Sequence, residues 1–169
     1  RARQVATQLA IEQAVEKYGP NKIITFHRRI DAAKSYASDD SEGIRTHLPD
    51  FSTFHVNGSM ATSVRERHMK AFRQSSRGVI TNASCLTEGV DVPVVDMVAF
   101  VAPKRSRIDI VQATGRAMRK ATGKTTGYVL VPLFVEQEAG ESVDEAVQRT
   151  DFDEIWSVLQ AMQEQDEDL

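Results

Sequence analysis

Short apolar runs rich in β-branched residues alternate along this chain with amphipathic stretches long enough for helices. Such runs, with little polar alternation, are typical of strands that are buried on both faces of a parallel sheet. The predicted strands are 22–26, 52–56, 78–83, 94–101 and 126–134. The pattern therefore predicts a three-layer α/β/α domain with a mainly parallel central sheet and ligands at the carboxyl ends of its strands.

The intervening stretches follow the helical period of apolar residues. The predicted helices are 3–18, 28–37, 62–74, 106–120 and 142–163. The core side of the first is expected to comprise Val5, Leu9, Ile11 and Val15.

Two helix starts carry the spacing of a capping pair, Ser63 with Glu66 and Ser106 with Asp109. The last helix is expected to run unbroken from 142 to 163 and to bury Trp156 in its apolar stripe.

Charge divides the chain unevenly: residues 1–135 carry a net charge of +8 and residues 136–169 carry −11. We expect a single domain over 1–169, with a leading helix in 1–20 and an acidic helical extension in 136–169. A basic body can attract a polyanion such as a nucleic acid. The alternative is an ordinary solvated surface followed by an acidic terminal helix.

Cysteine and histidine usage limits the chemistry. Cys85 is the only cysteine, so the chain contains no internal disulfide, which fits a reducing compartment. The four histidines have no metal-ligand spacing, and we expect no metal bound by the chain itself.

Neither a signal peptide nor an apolar run of about 18 residues is visible, so a cytoplasmic monomer without a membrane partner is expected.

The stretch "QATGRAMRK" places Gln112, Arg116 and Arg119 within a helical arc of roughly 60°. The neighbouring arc, predicted to pack inward, comprises Ile108, Val111, Gly115 and Met118. Two like charges and an amide, without an acid among them, suit the capture of a phosphate. A solvated helix face remains the alternative at this point.

The loop "NASCLTEGVDVP" follows the third predicted strand, where a parallel sheet places its ligands. Ser84 and Thr87 supply hydroxyls, Gly89 allows close approach of the backbone, and Asp91 supplies a carboxylate. The alternative is an ordinary βα loop in which threonine and aspartate cap the backbone.

These two segments together resemble the fifth and sixth motifs of superfamily 2 helicases and translocases, nearest to type III restriction subunits and related bacterial or phage helicases. "KIITFHRRIDAAKSYA" resembles the fourth motif, and "FHVNGSM" begins the segment after it. The resemblance covers 22–134 and implies the second of two RecA-like domains.

By this resemblance, ATP and Mg²⁺ lie between the two domains and are held mainly by the first. Arg116 and Arg119 would contact the γ-phosphate, with Arg119 as the arginine finger, and Gln112 would orient the phosphates or the attacking water. Gly89 and Asp91 would complete the nucleotide site, where Asp91 would hold the ribose or couple the cleft to the nucleic-acid groove. The residues implied to grip the backbone of DNA, or alternatively RNA, are His27, Arg28, Arg29, Gly58, Ser84 and Thr87.

The resemblance thus implies a motor domain that acts on ATP bound by an N-terminal RecA-like partner domain. "TGKTT" at 122–126 is not read as a phosphate-binding loop, because a predicted helix precedes it and a strand follows. We therefore expect this chain alone to be inactive as an ATPase. The alternatives are a catalytically silent RecA-like binding module and a duplex translocase that does not unwind.

Overall fold

A computed structural model describes residues 2–83, 95–102, 110–111, 114–115, 126–132, 137–150 and 152–165. The helices are α1 (Ala2–Tyr18), α2 (Ile30–Ala37), α3 (Thr62–Gln74), α4 (Val143–Gln148) and α5 (Asp153–Gln165), with a 3₁₀ turn at Ile44–Thr46. The strands are β1 (Lys22–His27), β2 (Ser52–Asn57), β3 (Gly78–Ala83), β4 (Met97–Phe100) and β5 (Tyr128–Leu130). No helix among these residues is long and apolar enough to cross a bilayer.

The five strands form one sheet in the order β2-β3-β1-β4-β5, and every pairing is parallel. Strands β1, β3 and β4 are buried along their whole length, as apolar runs covered on both faces must be. The predicted α/β class with a mainly parallel sheet is confirmed.

Alternate residues of β1, β3, β4 and β5 enter two different cores, one on either face of the sheet. In β1, Ile23 packs beneath α1 and α2, whereas Ile24 packs beneath α3 and α5. This division of one strand between two helical layers confirms the three-layer architecture.

The predicted core side of α1 is partly wrong. Val5 and Leu9 are exposed, at 41% and 42%, while Thr7 and Gln8 are buried beside Ile11. Two hydrogen bonds explain the burial of these polar side chains. The Gln8 side-chain amide donates to the backbone carbonyl of a distant loop residue, and the hydroxyl of Thr7 is hydrogen-bonded to that of Tyr36 on α2. These hydrogen bonds fix a rotation of the helix that apolar spacing does not reveal.

Three local predictions also need correction. The helix α3 begins after Ala61 without a side-chain cap, so Ser63 lies inside the helix and forms no capping box with Glu66. The predicted closing helix is two helices, because the Thr150 hydroxyl bonds backbone groups on both sides of the break. Trp156 is half-buried, and its indole N–H donates to Asp144 at 3.0 Å rather than entering the core.

The fourth predicted strand is shorter than expected, since β4 begins only at Met97. Asp96 precedes it and accepts the backbone N–H groups of Asn21 and Lys22 at 3.0 and 2.9 Å. The aspartate that interrupts the apolar run therefore fixes the start of β1.

In the helix predicted over 106–120, the described residues 110, 111, 114 and 115 are helical. Ile110 and Thr114 are fully buried, whereas Val111 is 48% exposed and Gly115 is exposed. The predicted inward placement of Val111 and Gly115 is therefore wrong, and the face that packs is the one shared by Ile110 and Thr114.

Candidate nucleic-acid interface

The carboxyl ends of β1, β2 and β3 lie side by side. The register pairs Ala83 with both His27 and Asn57, so three strands end level with one another. The turns that lead into α2 and α3 start there, which brings the predicted His27–Arg29 segment and Gly58 to one edge of the sheet.

His27 supports this edge from inside. Its side chain is 4% exposed, Nε2 lies 2.8 Å from the Thr25 hydroxyl, and the ring meets Tyr36 edge-on with centroids 4.8 Å apart. Tyr36 in turn bonds the Thr7 hydroxyl at 3.2 Å, and burial raises the pKa of the tyrosine. What this position presents to solvent is therefore the following arginines rather than the imidazole.

Arg28 and Arg29 are both exposed at the mouth of a groove of about 380 Å³ between the amino-terminal ends of α1 and α2. Arg29 pairs with Asp31 at 2.7 Å, with both side chains mostly in water. Arg28 forms no ion pair with any residue that the structure describes, which leaves its charge available to an anion.

The two helices that start at this edge differ in whether the backbone N–H groups of their first turns have hydrogen-bond acceptors. Neither N-cap residue, Arg29 of α2 or Ala61 of α3, makes a side-chain capping bond. In α2, however, the Asp31 carboxylate already accepts the N–H of Ala32 at 2.9 Å. The first turn of α3 contains no acidic residue.

The N-terminus of α3 is therefore an open donor site. The first N–H groups of an α-helix have no partner within the helix, and the helix dipole adds partial positive charge there. Together they favour an anion, phosphate above all. The open helix end was missed from the sequence because a capping box was predicted there. The alanine at position 61, which has no side-chain acceptor for a cap, was the signal that could have indicated it.

The amide N–H groups of the turn before α3 already have hydrogen-bond partners. Gly58 N–H donates to Ala83 O at 3.0 Å, Ser59 N–H to Asn57 Oδ1 at 2.8 Å, and Met60 N–H to Asn57 O at 3.3 Å. Gly58 is thus held in place and does not offer its amide to a ligand. The donors available at this point of the edge belong to α3.

A polar row lies beneath the turn, in which Asn57 and Thr81 are buried and His55 is half-buried. His55 Nδ1 is 3.0 Å from the Thr81 hydroxyl, and His55 Nε2 is 3.0 Å from Asn57 Nδ2. Burial, with smaller contributions from the charges of Lys34 and His68, lowers the pKa of His55 to about 4. The imidazole is therefore neutral at neutral pH.

Seven of the predicted site residues lie outside the described residues, and so does the proposed cap pair Ser106 and Asp109. The seven are Ser84, Thr87, Gly89, Asp91, Gln112, Arg116 and Arg119. Within the described part of the chain, no group of three or more His, Cys, Asp or Glu side chains is arranged to hold a metal ion.

Comparison with known proteins places these features in a family. A family model for the helicase conserved C-terminal domain matches residues 6–121. The chain is 23% identical over 158 residues to the mitochondrial ATP-dependent RNA helicase MSS116 of Lodderomyces elongisporus, covering 90% of this chain and 23% of the relative. It is 30% identical over 119 residues to the probable helicase A859L of African swine fever virus, covering 69% and 13%. The chain thus spans about a quarter or less of these relatives.

Solved structures agree on the fold. The chain matches a DNA-bound ATP-dependent type ISP restriction-modification enzyme, LlaBIII, with a TM-score of 0.77 and 26% identity, covering 96% of this chain and 12% of that one. It matches domain 2 of the DEAD-box helicase Mss116p, bound to an RNA duplex, with a TM-score of 0.60 and 19% identity, covering 78% and 49%. The RecA-like prediction is confirmed, while the narrower assignment to a type III restriction branch stays a prediction.

Proposed function

We propose a motor function from the premise that this chain belongs to the helicase conserved C-terminal domain family of superfamily 2. The chain is then the second RecA-like domain of an ATP-dependent nucleic-acid helicase or translocase. It grips the nucleic-acid backbone at the carboxyl edge of β1–β3 and completes an ATP and Mg²⁺ site held mainly by an N-terminal RecA-like domain.

The observation that carries the gripping role is the uncapped, acid-free start of α3 at this edge. A backbone phosphate would accept its amide N–H groups, and the exposed Arg28, which follows β1 at the same edge of the sheet, would supply a cation for the strand. Contacts of this kind are indifferent to base sequence, which suits a protein that moves along a strand.

The nucleotide role rests on sequence spacing. Ile110 and Thr114 are buried, and a helix over the predicted range 106–120, counted at 100° per residue from them, would place Gln112, Arg116 and Arg119 on the opposite arc. We propose that Arg119 is the arginine finger, that Arg116 binds the γ-phosphate and that Gln112 orients it. A finger stabilises charge that develops in the transition state, a contribution of about 10³–10⁵ in rate.

The gripping role is tested by fluorescence anisotropy of the 169-residue chain with labelled single-stranded DNA and RNA. We expect binding that weakens as salt rises, and a smaller salt slope for Arg28→Ala. Arg45→Ala is the control, because Arg45 is also exposed but lies in the 3₁₀ turn and pairs with Asp39. Failure of the wild-type chain to bind either probe would exclude this role.

The nucleotide role is tested in the complete protein. Arg119→Ala should remove most ATP turnover, whereas Lys120→Ala, the next residue, should keep most of it. The 169-residue chain alone should hydrolyse ATP no faster than background, and robust hydrolysis would contradict the proposed division of labour.

Translocation on duplex without unwinding is the alternative that the likeness to a DNA-bound restriction enzyme favours. A strand-displacement assay on the complete protein separates the two, since a duplex translocase would consume ATP without releasing a strand.

A further inference from the structure

One continuous row of hydrogen bonds joins α2, β3, β2 and the turn before α3. The Thr81 hydroxyl donates to Ala33 O at 2.8 Å, so it must accept from His55 Nδ1–H. With that proton on Nδ1, the neutral ring leaves Nε2 to accept from Asn57 Nδ2. The remaining Asn57 oxygen accepts the N–H of Ser59. Each bond in the row therefore has one donor and one acceptor, and its direction is determined.

We propose that neutral His55 is a positioning residue that sets the Asn57–Met60 turn and thereby the affinity of the N-terminus of α3 for a nucleic-acid phosphate. This inference rests on the gripping role proposed above. In this proposal His55 does not contact the nucleic acid itself. It influences binding because the turn that it positions leads directly into Ala61, the N-cap residue of α3.

The hydrogen bonds of the row are incompatible with a charged imidazole at His55. A proton on Nε2 would point at the Asn57 amide, which is itself a donor, and the amide would have to rotate and release Ser59. Burial opposes protonation of the ring most, and the positive charges of Lys34 from α2 and, when it carries a proton, His68 from α3 add to this. The grip should therefore weaken as His55 becomes charged.

The experiment is oligothymidylate binding by the 169-residue chain, followed by anisotropy. Thr81→Val keeps the shape of the side chain and removes the link between His55 and α2, and we expect affinity to fall about fivefold. Thr53→Val is the control, because it makes the same change on the same face of β2 two residues before His55. Its affinity should stay within about twofold of wild type.

A pH series distinguishes positioning from general packing. His55→Gln keeps a donor and an acceptor but cannot be protonated, so it should bind at neutral pH within about threefold of wild type, and His55→Ala should bind more weakly. Between about pH 5 and 3.5, where His55 with its pKa of about 4 becomes charged in the folded chain, the wild type should lose affinity more steeply than His55→Gln.

The outcomes separate two failures. A wild-type chain that does not bind oligothymidylate or the RNA probe refutes the gripping role and the positioning role together. A wild-type chain that binds, with Thr81→Val equally tight and with parallel pH profiles for wild type and His55→Gln, refutes the positioning role alone.

Discussion

Ala61→Asp should raise the stability of the domain while weakening its grip on nucleic acid. Ala61 is exposed, and its φ of −59° and ψ of 144° suit an N-cap residue. An aspartate there would accept N–H groups of the first turn of α3, which contributes about 1 kcal/mol, and its charge would add about 0.5 kcal/mol from the helix dipole. For a chain of this size, the midpoint of thermal unfolding should rise by about 3–5 °C.

The same carboxylate would occupy the place proposed for a phosphate. Losing one charge-assisted contact should weaken binding about tenfold and reduce the slope of log affinity against log salt by about 0.7–0.9. Ala61→Ser supplies a neutral cap, so it should stabilise the domain with a smaller loss of affinity. Ala71→Asp adds the same charge about 15 Å further along α3 and controls for net charge.

Urea unfolding followed by circular dichroism and anisotropy with labelled single-stranded DNA measure the two effects on one set of variants. Unchanged stability in Ala61→Asp would mean that the start of α3 is already satisfied. Increased stability with unchanged affinity would mean that the open helix end is not part of the grip.

Three further predictions concern the rest of the domain, all measured by urea unfolding. Gly43→Ala should destabilise by about 2–3 kcal/mol, because its Cβ would lie 1.8 Å from the backbone oxygen of Ser38. Lys22→Met should cost about 1–2 kcal/mol, since the buried ammonium bonds last-turn carbonyls of α3, and the exposed Lys70→Met should change little. The unfolded chain binds a proton at His55 more readily than the folded one does, because the folded state lowers the pKa of this residue. The free energy of unfolding should therefore fall as the pH drops from 6.5 towards about 4, by about 1–2 kcal/mol more in wild type than in His55→Gln.

The sheet was predictable from the sequence because its strands are apolar on both faces. The bounds of β1, β2 and β3 differ from the predicted ones by at most one residue, since each run is rich in β-branched residues. Parallel pairing followed from the same pattern, because alternating helices must cover both faces.

Rotation and capping of helices were less predictable. The face of α1 was set by hydrogen bonds of Thr7 and Gln8 to distant partners rather than by apolar spacing. A capping box needs the helix to start at one particular residue, and sequence spacing does not fix that start to better than a residue or two.

The chain's sequence by itself determined the class of fold, the family and the charged positions from which the site is proposed, because these depend on patterns within short segments. Only the tertiary structure decided which helix end is open and which tautomer His55 adopts. The bond from His55 to Thr81 joins residues 26 apart, and the bond from Thr81 to Ala33 joins residues 48 apart. Hydrogen bonds of such separation exist only after the sheet has brought the strands together, so no local pattern encodes them.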